Sequence, residues 1–178
     1  ELAQKQAQQQ AAKLKQTIDA EKLAQVKTRN EQIVNSSFNF NENETRKRII
    51  DLDLRNAGWH VALDDESTED VGKEVKVTDQ PTTTGVGYVD YVLWDDDGKP
   101  LAVIEAKRTR ENIEKGRQQA TLYANALEKQ YGQRPIIFYS NGWDIKILDD
   151  TQGYNSRGLY GYYSKDSLQY LIKQRTLK

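Results

Sequence analysis

Two apolar segments separated by a polar turn constrain the fold of this chain more than any other feature of its sequence. Residues Tyr88–Trp94 and Leu101–Ala106 are mostly apolar, and a turn rich in Asp, with Gly and Pro, lies between them. Short apolar runs bounded by such residues are typical of buried β-strands. The pattern therefore predicts a β-hairpin at the centre of the domain.

Charged residues interrupt both strands of this hairpin. Asp90 lies within the first strand, Glu105 lies near the end of the second, and Lys107 follows it. A buried ionised carboxylate is costly unless it is paired or holds a metal ion. Because side chains alternate across a strand, Glu105 and Lys107 share one face, and the hairpin can bring Asp90 beside them. Two carboxylates and an ammonium group are thus predicted to converge, although acidic residues near strand ends are common and this spacing also arises by chance.

Composition excludes several classes of site. The 178 residues include no Cys, which rules out disulfides and thiolate chemistry and suits a cytosolic protein. The single histidine, His60, nearly excludes a histidine-rich zinc site. The formal net charge of −1 does not indicate a nucleic-acid partner, so any such surface must come from local clusters of Lys and Arg. No run is apolar enough to span a membrane, no signal peptide is visible, and a chain that begins at Glu1 is expected to be a fragment.

The N-terminal segment, residues 1–37, differs in composition from the rest of the chain. It is rich in Ala, Gln, Lys and Glu, and residues 1–34 contain no Gly or Pro. This composition favours a helix, but its apolar stripe is thin and irregular. We therefore expect a solvated helical arm or linker outside the main core. It could be a spacer or docking arm, or equally an exposed helix packed on a crystal neighbour.

The other elements are predicted from periodicity and from start and stop signals. A helix capped by Asn41 or Asn43 should end at Gly58. Its core face is predicted at Ile49, Leu52 and Ala57, with Ile50 or Leu54 beside them. Further strands are predicted at 59–63, 74–79, 136–140 and 143–150, a loop at 153–163, and amphipathic helices at 110–131 and 164–175. Together they predict an α/β fold with a mixed central β-sheet flanked by helices.

This order of elements, with Asp90 on one strand and Glu105-Ala106-Lys107 on the next, resembles the PD-(D/E)xK restriction-endonuclease-like core. Gln119-x-x-x-Tyr123 on the following helix resembles the Q-x-x-x-Y motif of Type I restriction enzymes and RecB-like nucleases. Residues 41–59, 87–108 and 139–150 are similar to the N-terminal part of the restriction (R) subunit of Type I restriction–modification enzymes. The resemblance covers residues 41–175. Val89 stands where the motif has proline, which leaves the carboxylate in place.

The resemblance divides the chain into an arm (1–37), a PD-(D/E)xK nuclease domain (38–150), and a C-terminal loop and helix (151–178) that leads towards a motor domain. It implies that Asp90 and Glu105 hold Mg²⁺, which takes oxygen ligands and activates water for phosphodiester hydrolysis. Lys107 would orient the attacking water and offset negative charge. A simple ion pair between Lys107 and Glu105 is the alternative.

Further site residues are implied with plain alternatives. Gln119 and Tyr123 would line the site and position DNA, although Tyr123 alone would more often be a core residue. Glu42 or Glu44 would be a supporting acid, or would only complement the positive end of a helix. Four basic residues could neutralise DNA phosphates or simply be solvated: Arg108, Arg110, Lys115 and Arg117. The tryptophans are expected to fill core or edge positions.

The function implied is a Mg²⁺-dependent endonuclease domain that cuts unmodified foreign double-stranded DNA in the cytoplasm of a bacterium or archaeon. Its partners would be the modification and specificity subunits. Because no G-x-x-x-x-G-K-[ST] loop is present, ATP would bind only to the motor of the full-length protein. The alternatives are a non-catalytic DNA-docking or assembly module and a RecB-like DNA-repair nuclease.

Overall fold

The computed structural model describes residue 44, residues 46–108 and residues 111–177. These residues belong to one compact unit, Phe40–Lys178. The predicted arm at 1–37, Glu42 and Arg110 lie outside the described residues. The predicted domain boundaries stay predictions.

The described residues form a six-stranded sheet in the order β1 to β6. The strands are β1 Val71–Val77, β2 Gly87–Trp94, β3 Pro100–Ala106, β4 Ile136–Ser140, β5 Ile145–Leu148 and β6 Arg157–Leu159. β3 and β4 pair in parallel, and the other neighbours pair antiparallel. The predicted mixed sheet is therefore confirmed, and so is the central hairpin, in which Tyr91 pairs with Ile104.

Helices cover both faces of this sheet. They are a π-helical turn Arg46–Ile50, α1 Asp51–Asn56, α2 Glu114–Tyr131, a short 3₁₀ turn Asp150–Gln152 and α3 Lys165–Gln174. α2 connects the parallel strands β3 and β4, as a parallel pair requires. Its predicted apolar face is confirmed, because five positions are buried: Ile113, Ala120, Tyr123, Ala124 and Leu127. α1 and α3 contribute Leu54 and Leu168 to the core on the other face. No helix in the described part of the chain has the length and apolar character needed to cross a membrane.

The strand predicted at 59–63 is wrong. Trp59 and Val61 are buried in alternation, but the segment has no regular secondary structure. The guanidinium group of Arg55 donates hydrogen bonds to the carbonyls of Val61 and Ala62, at 3.3 and 3.0 Å. Side chains therefore satisfy backbone groups that a strand would have paired with a neighbouring strand.

The core face predicted for the first helix is partly wrong. Ile50 and Leu54 are fully buried, whereas Leu52 is 53% exposed. The π-helical turn before α1 has a wider hydrogen-bond spacing than an α-helix, so the phase expected from a regular helix does not hold. The stop at Gly58 is confirmed, because α1 ends at Asn56 and Gly58 has a φ of +91°.

The loop predicted at 153–163 contains a strand. β6 pairs with β5 through Ile145 and Leu159 and through Ile147 and Arg157. It spans only three residues, one of them glycine, which left no alternation to detect. The sheet is therefore extended by one edge strand.

Candidate active site

The predicted site residues lie where the parallel strands β3 and β4 end. In the register between these strands, Glu105 pairs with Tyr139 and Ala106 pairs with Ser140. The backbone N–H of Lys107 then donates to the carbonyl of Ser140 at 2.8 Å. The chain is thus held for one more residue beyond β3, which fixes Lys107 relative to Glu105.

Asp90 contacts the end of β3 from the neighbouring strand β2. Its Oδ2 accepts a hydrogen bond of 2.7 Å from the backbone N–H of Ala106, the residue that follows Glu105. In β1, Glu74 lies between Lys73 and Val75, which pair with the neighbours of Asp90, and it has a left-handed φ of +51°, unlike an extended strand residue. Such backbone conformations are costly for residues other than glycine and are often found at functional sites. The hairpin therefore brings the Asp90 carboxylate to the backbone beside Glu105, as the sequence predicted.

A chain of hydrogen bonds links the other four predicted residues. The Nζ of Lys107 donates to Oε1 of Glu105 at 2.9 Å and to Oε1 of Gln119 at 2.8 Å. The Nε2 of Gln119 donates to the Tyr123 hydroxyl at 2.7 Å. Gln119 and Tyr123 are one helical turn apart on α2, which allows this contact. Glu105 is only 2% exposed, so this polar cluster extends from the end of β3 into the interior.

Burial and the charges of the cluster both act on the pKa of the Tyr123 hydroxyl. Burial raises the pKa of the Tyr123 hydroxyl, and the negative charges of Glu105 and Asp90 raise this pKa further, against the hydrogen bond from Gln119 and the charge of Lys107. The hydroxyl is therefore neutral at physiological pH. A neutral group beside two carboxylates adds no further negative charge to the cluster.

Two glycines lie against the cluster, and one of them, Gly87, allows a close approach that a larger residue would prevent. A Cβ atom on Gly87 would lie 2.7 Å from Cε1 of Tyr123 and 2.9 Å from Cγ of Gln80. A Cβ atom on Gly116 would lie 3.5 Å from Cγ of Lys107 and 3.6 Å from Cγ of Glu105. The absence of a side chain at Gly87 thus leaves space for the Tyr123 ring, a role that was not predicted from the sequence. The signal available was a glycine at the start of a strand, which often marks close packing.

Three of the four predicted basic residues, Arg108, Lys115 and Arg117, are described by the structure and lie outside this cluster, and their role in DNA binding stays a prediction. Arg108 is exposed and forms an ion pair of 3.8 Å with Glu111. Lys115 and Arg117 are exposed on α2. Glu44 is half-buried, and its role as a supporting acid stays a prediction.

The carboxylates of Asp90 and Glu105 provide only oxygen donors, which suit a hard cation such as Mg²⁺. Across the described residues, no group of three or more His, Cys, Asp or Glu side chains could hold a metal ion. Mg²⁺ is commonly bound by one or two carboxylates and keeps several water ligands. The two carboxylates therefore fit such an ion, in a site that is not a closed protein cage.

Comparisons with known proteins agree on one family. Residues 70–156 match the family described as Type I restriction enzyme R protein N terminus. The chain is 32% identical over 121 residues to the Type I restriction enzyme EcoAI endonuclease subunit of Escherichia coli, and this match covers 64% of the chain and 14% of that subunit. The matched family region contains all five residues of the candidate site: Asp90, Glu105, Lys107, Gln119 and Tyr123.

A solved structure has a similar fold. It is a fragment assigned as an HsdR subunit of a type I restriction enzyme from Vibrio vulnificus YJ016. The TM-score is 0.58 at 25% sequence identity, and the match covers 77% of this chain and 26% of that one. This similarity and the mixed sheet with flanking helices confirm the predicted PD-(D/E)xK-like α/β fold.

Proposed function

Because this chain carries the N-terminal domain of a Type I restriction enzyme R subunit, we propose that it is a Mg²⁺-dependent endonuclease domain. Its substrate would be double-stranded DNA, in which it hydrolyses phosphodiester bonds. The observation that supports this proposal most directly is that Asp90, Glu105 and Lys107 lie together where β3 ends. A purely structural ion pair would not need the second carboxylate there.

Each residue of the cluster has a role that follows from its contacts. Asp90 and Glu105 would hold the ion, which supplies an activated water and stabilises the charge that develops on the phosphoryl group. Lys107 would place its ammonium charge beside the scissile phosphate. Gln119 accepts a hydrogen bond from Lys107 and donates one to Tyr123, so it fixes the direction of the Lys107 side chain. Tyr123, one turn further along α2, accepts this hydrogen bond and would hold the Gln119 side chain in place.

The wider biological context is part of the same proposal. The chain would belong to a restriction complex with modification and specificity subunits, in a bacterial or archaeal cytoplasm. The complex would cut unmodified foreign DNA after ATP-driven translocation by a motor elsewhere in the R subunit. The chain spans 14% of the curated relative, so these other parts would be needed for regulated cutting. The isolated chain is therefore expected to cut slowly and without sequence selectivity.

The test combines metal binding with cleavage. Mg²⁺ and Mn²⁺ would be titrated calorimetrically into the chain, with and without duplex DNA, and plasmid cleavage would be followed in parallel. Asp90→Ala and Glu105→Gln should each abolish metal binding and cleavage. Asp97→Asn removes a charge from the exposed turn of the same hairpin and should leave both unchanged. If the chain bound duplex DNA but no metal, it would be a docking module and the nuclease proposal would be wrong.

A further inference from the structure

A groove of about 600 Å³ lies next to the candidate active site. Trp143 and Tyr160 both line it, together with Ile113, Asp144, Lys146 and Leu159. Trp143 is 62% exposed and Tyr160 is fully exposed. By contrast, Trp59 is only 4% exposed. The structure thus presents two large aromatic side chains to solvent in one groove.

The groove lies at the same end of the strands as the carboxylates. The register runs from Ala106 in β3 to Ser140 in β4, Ile145 in β5 and Leu159 in β6. Trp143 lies in the turn between β4 and β5, and Tyr160 directly follows Leu159. Both aromatic residues therefore lie at the same end of the strands as Glu105 and Lys107.

The turn that carries Trp143 is fixed by side-chain hydrogen bonds. Oδ1 of Asn141 accepts from the backbone N–H groups of Trp143 and Asp144, at 3.1 and 2.8 Å. The N–H of Gly142 donates to the Ser140 hydroxyl at 2.8 Å. The backbone position of Trp143 is thus set in advance, which lowers the entropic cost of contact with a ligand.

The first turn of α2 contacts both the groove wall and the cluster. On one side of this turn, Glu114 forms an ion pair with Lys146 in the groove wall. On the other side, Gly116 lies against Lys107 and Glu105. A DNA strand whose phosphate lies at the carboxylates would therefore bring its neighbouring nucleotides to the groove.

We propose that Trp143 and Tyr160 stack on unpaired bases of a single-stranded DNA segment beside the scissile phosphate. Aromatic side chains bind bases of any sequence because every base has a π face. These faces are inaccessible within a paired duplex, so the ligand is a frayed or displaced strand. Asp144 and Lys146 carry opposite charges, so stacking rather than phosphate contact provides the affinity. This inference rests on the proposed nuclease function for the identity of its ligand.

The test measures binding without cleavage. Fluorescently labelled oligo(dT) and a blunt duplex would be titrated by anisotropy in EDTA. Trp143→Ala and Tyr160→Ala should each weaken oligo(dT) binding about tenfold, within the range for loss of one stacked base. Blunt-duplex binding should not change. Tyr170→Ala is the matched control, because Tyr170 is also 62% exposed but lies on α3 and does not line the groove.

Two outcomes would overturn the proposal. One is oligo(dT) binding that is equally strong in Trp143→Ala, Tyr160→Ala and the wild type, which would show that neither aromatic residue stacks on a base. The other is a wild-type chain that does not bind oligo(dT). Because the assay contains EDTA, failure of metal binding or of cleavage would refute the nuclease function without changing this result.

Discussion

Two lysine–carboxylate pairs lie on opposite faces of the sheet and have similar chemistry but different surroundings. Lys107 pairs with Glu105, and Lys73 pairs with Asp51, each at 2.9 Å. A tyrosine accompanies each pair: Tyr123 belongs to the core cluster on the α2 face, and Tyr91 belongs to the cluster on the other face. A pair of this type therefore does not by itself identify a functional site.

The Lys73 pair is enclosed by protein. Nζ of Lys73 also donates to the carbonyls of Asp64 and Ala62, at 2.7 and 3.3 Å. The other oxygen of Asp51 accepts from the Tyr91 hydroxyl. The exposed fractions of the two side chains are 3% and 4%. With these partners and almost no solvent access, the pair joins α1 to β1 and β2.

The Lys107 pair differs in two respects. Its lysine side chain is 13% exposed, although the Glu105 side chain, at 3%, is as buried as that of Asp51, at 4%. A second carboxylate, the half-buried Asp90, accepts a hydrogen bond from the backbone beside Glu105. Solvent access allows an ion to enter, and the additional negative charge favours a cation. Solvent access and a second carboxylate, rather than the ion pair itself, therefore distinguish a candidate site from a structural contact.

The largest expected effect is on stability, from Lys73→Met. Removal of one partner from a buried pair leaves an uncompensated charge, which typically costs about 3–5 kcal/mol. The free energy of unfolding, measured by urea denaturation, should fall by about this amount. Mg²⁺ should not restore it, because the pair is closed to solvent.

Lys107→Met is the matched variant for this prediction. It also leaves a carboxylate without its lysine, but Mg²⁺ bound at Asp90 and Glu105 would replace the lost positive charge. Addition of Mg²⁺ should therefore recover part of the stability lost in Lys107→Met. Equal responses of the two variants to Mg²⁺ would contradict the distinction between the pairs.

A smaller effect is expected from Gly87→Ala on the side of the candidate site. The added Cβ would lie 2.7 Å from the Tyr123 ring, which is rigid and buried, so the ring must move. Overpacking of this type typically costs about 1–3 kcal/mol. Displacement of Tyr123 should also disturb Gln119 and Lys107, so plasmid cleavage should decrease along with the free energy of unfolding.

A double-mutant cycle tests this mechanism. In a Tyr123→Ala background the ring is absent, so Gly87→Ala should cost clearly less stability than in the wild type. Gly161→Ala is the control, because, apart from its chain neighbours, no described residue has an atom within 4 Å of a Cβ built there. Additive effects of Gly87→Ala and Tyr123→Ala would show that the two residues do not interact.

The candidate site was largely predictable because its contacts follow from local geometry. A hairpin register places Asp90 near Glu105, and strand alternation places Lys107 on the same face as Glu105. Spacing of one helical turn brings Gln119 to Tyr123, and the hydrogen bond of 2.7 Å between them is of this type. The placement of these residues is thus established by the structure, while their catalytic roles stay predictions.

The second lysine pair was not predictable by the same reasoning. Asp51 and Lys73 are 22 residues apart in sequence, on elements whose packing no local pattern specifies. The error at residues 59–63 has the same origin, because Arg55 binds backbone carbonyls of that segment from α1. Contacts between a side chain and a distant backbone group leave no periodic signal. Such contacts fix the packing of α1 and residues 59–63 on the face of the sheet opposite α2, so the sequence predicted this face less well.

A third lysine–carboxylate pair, Lys146 and Glu114, extends the comparison to a more exposed position, and the effect expected there is the smallest of those predicted. Their side chains are 33% and 41% exposed. The hydrogen bond from Lys146 lowers the pKa of the Glu114 carboxyl, so its stabilising contribution is present above the unfolded-state pKa and is lost as the pH falls through the folded-state pKa. Solvent screening limits this contribution to about 0.5 kcal/mol. The difference in unfolding free energy between wild type and Glu114→Gln should therefore be small at pH 7 and vanish in acid, whereas a difference that persisted there would show that Glu114 acts through packing instead.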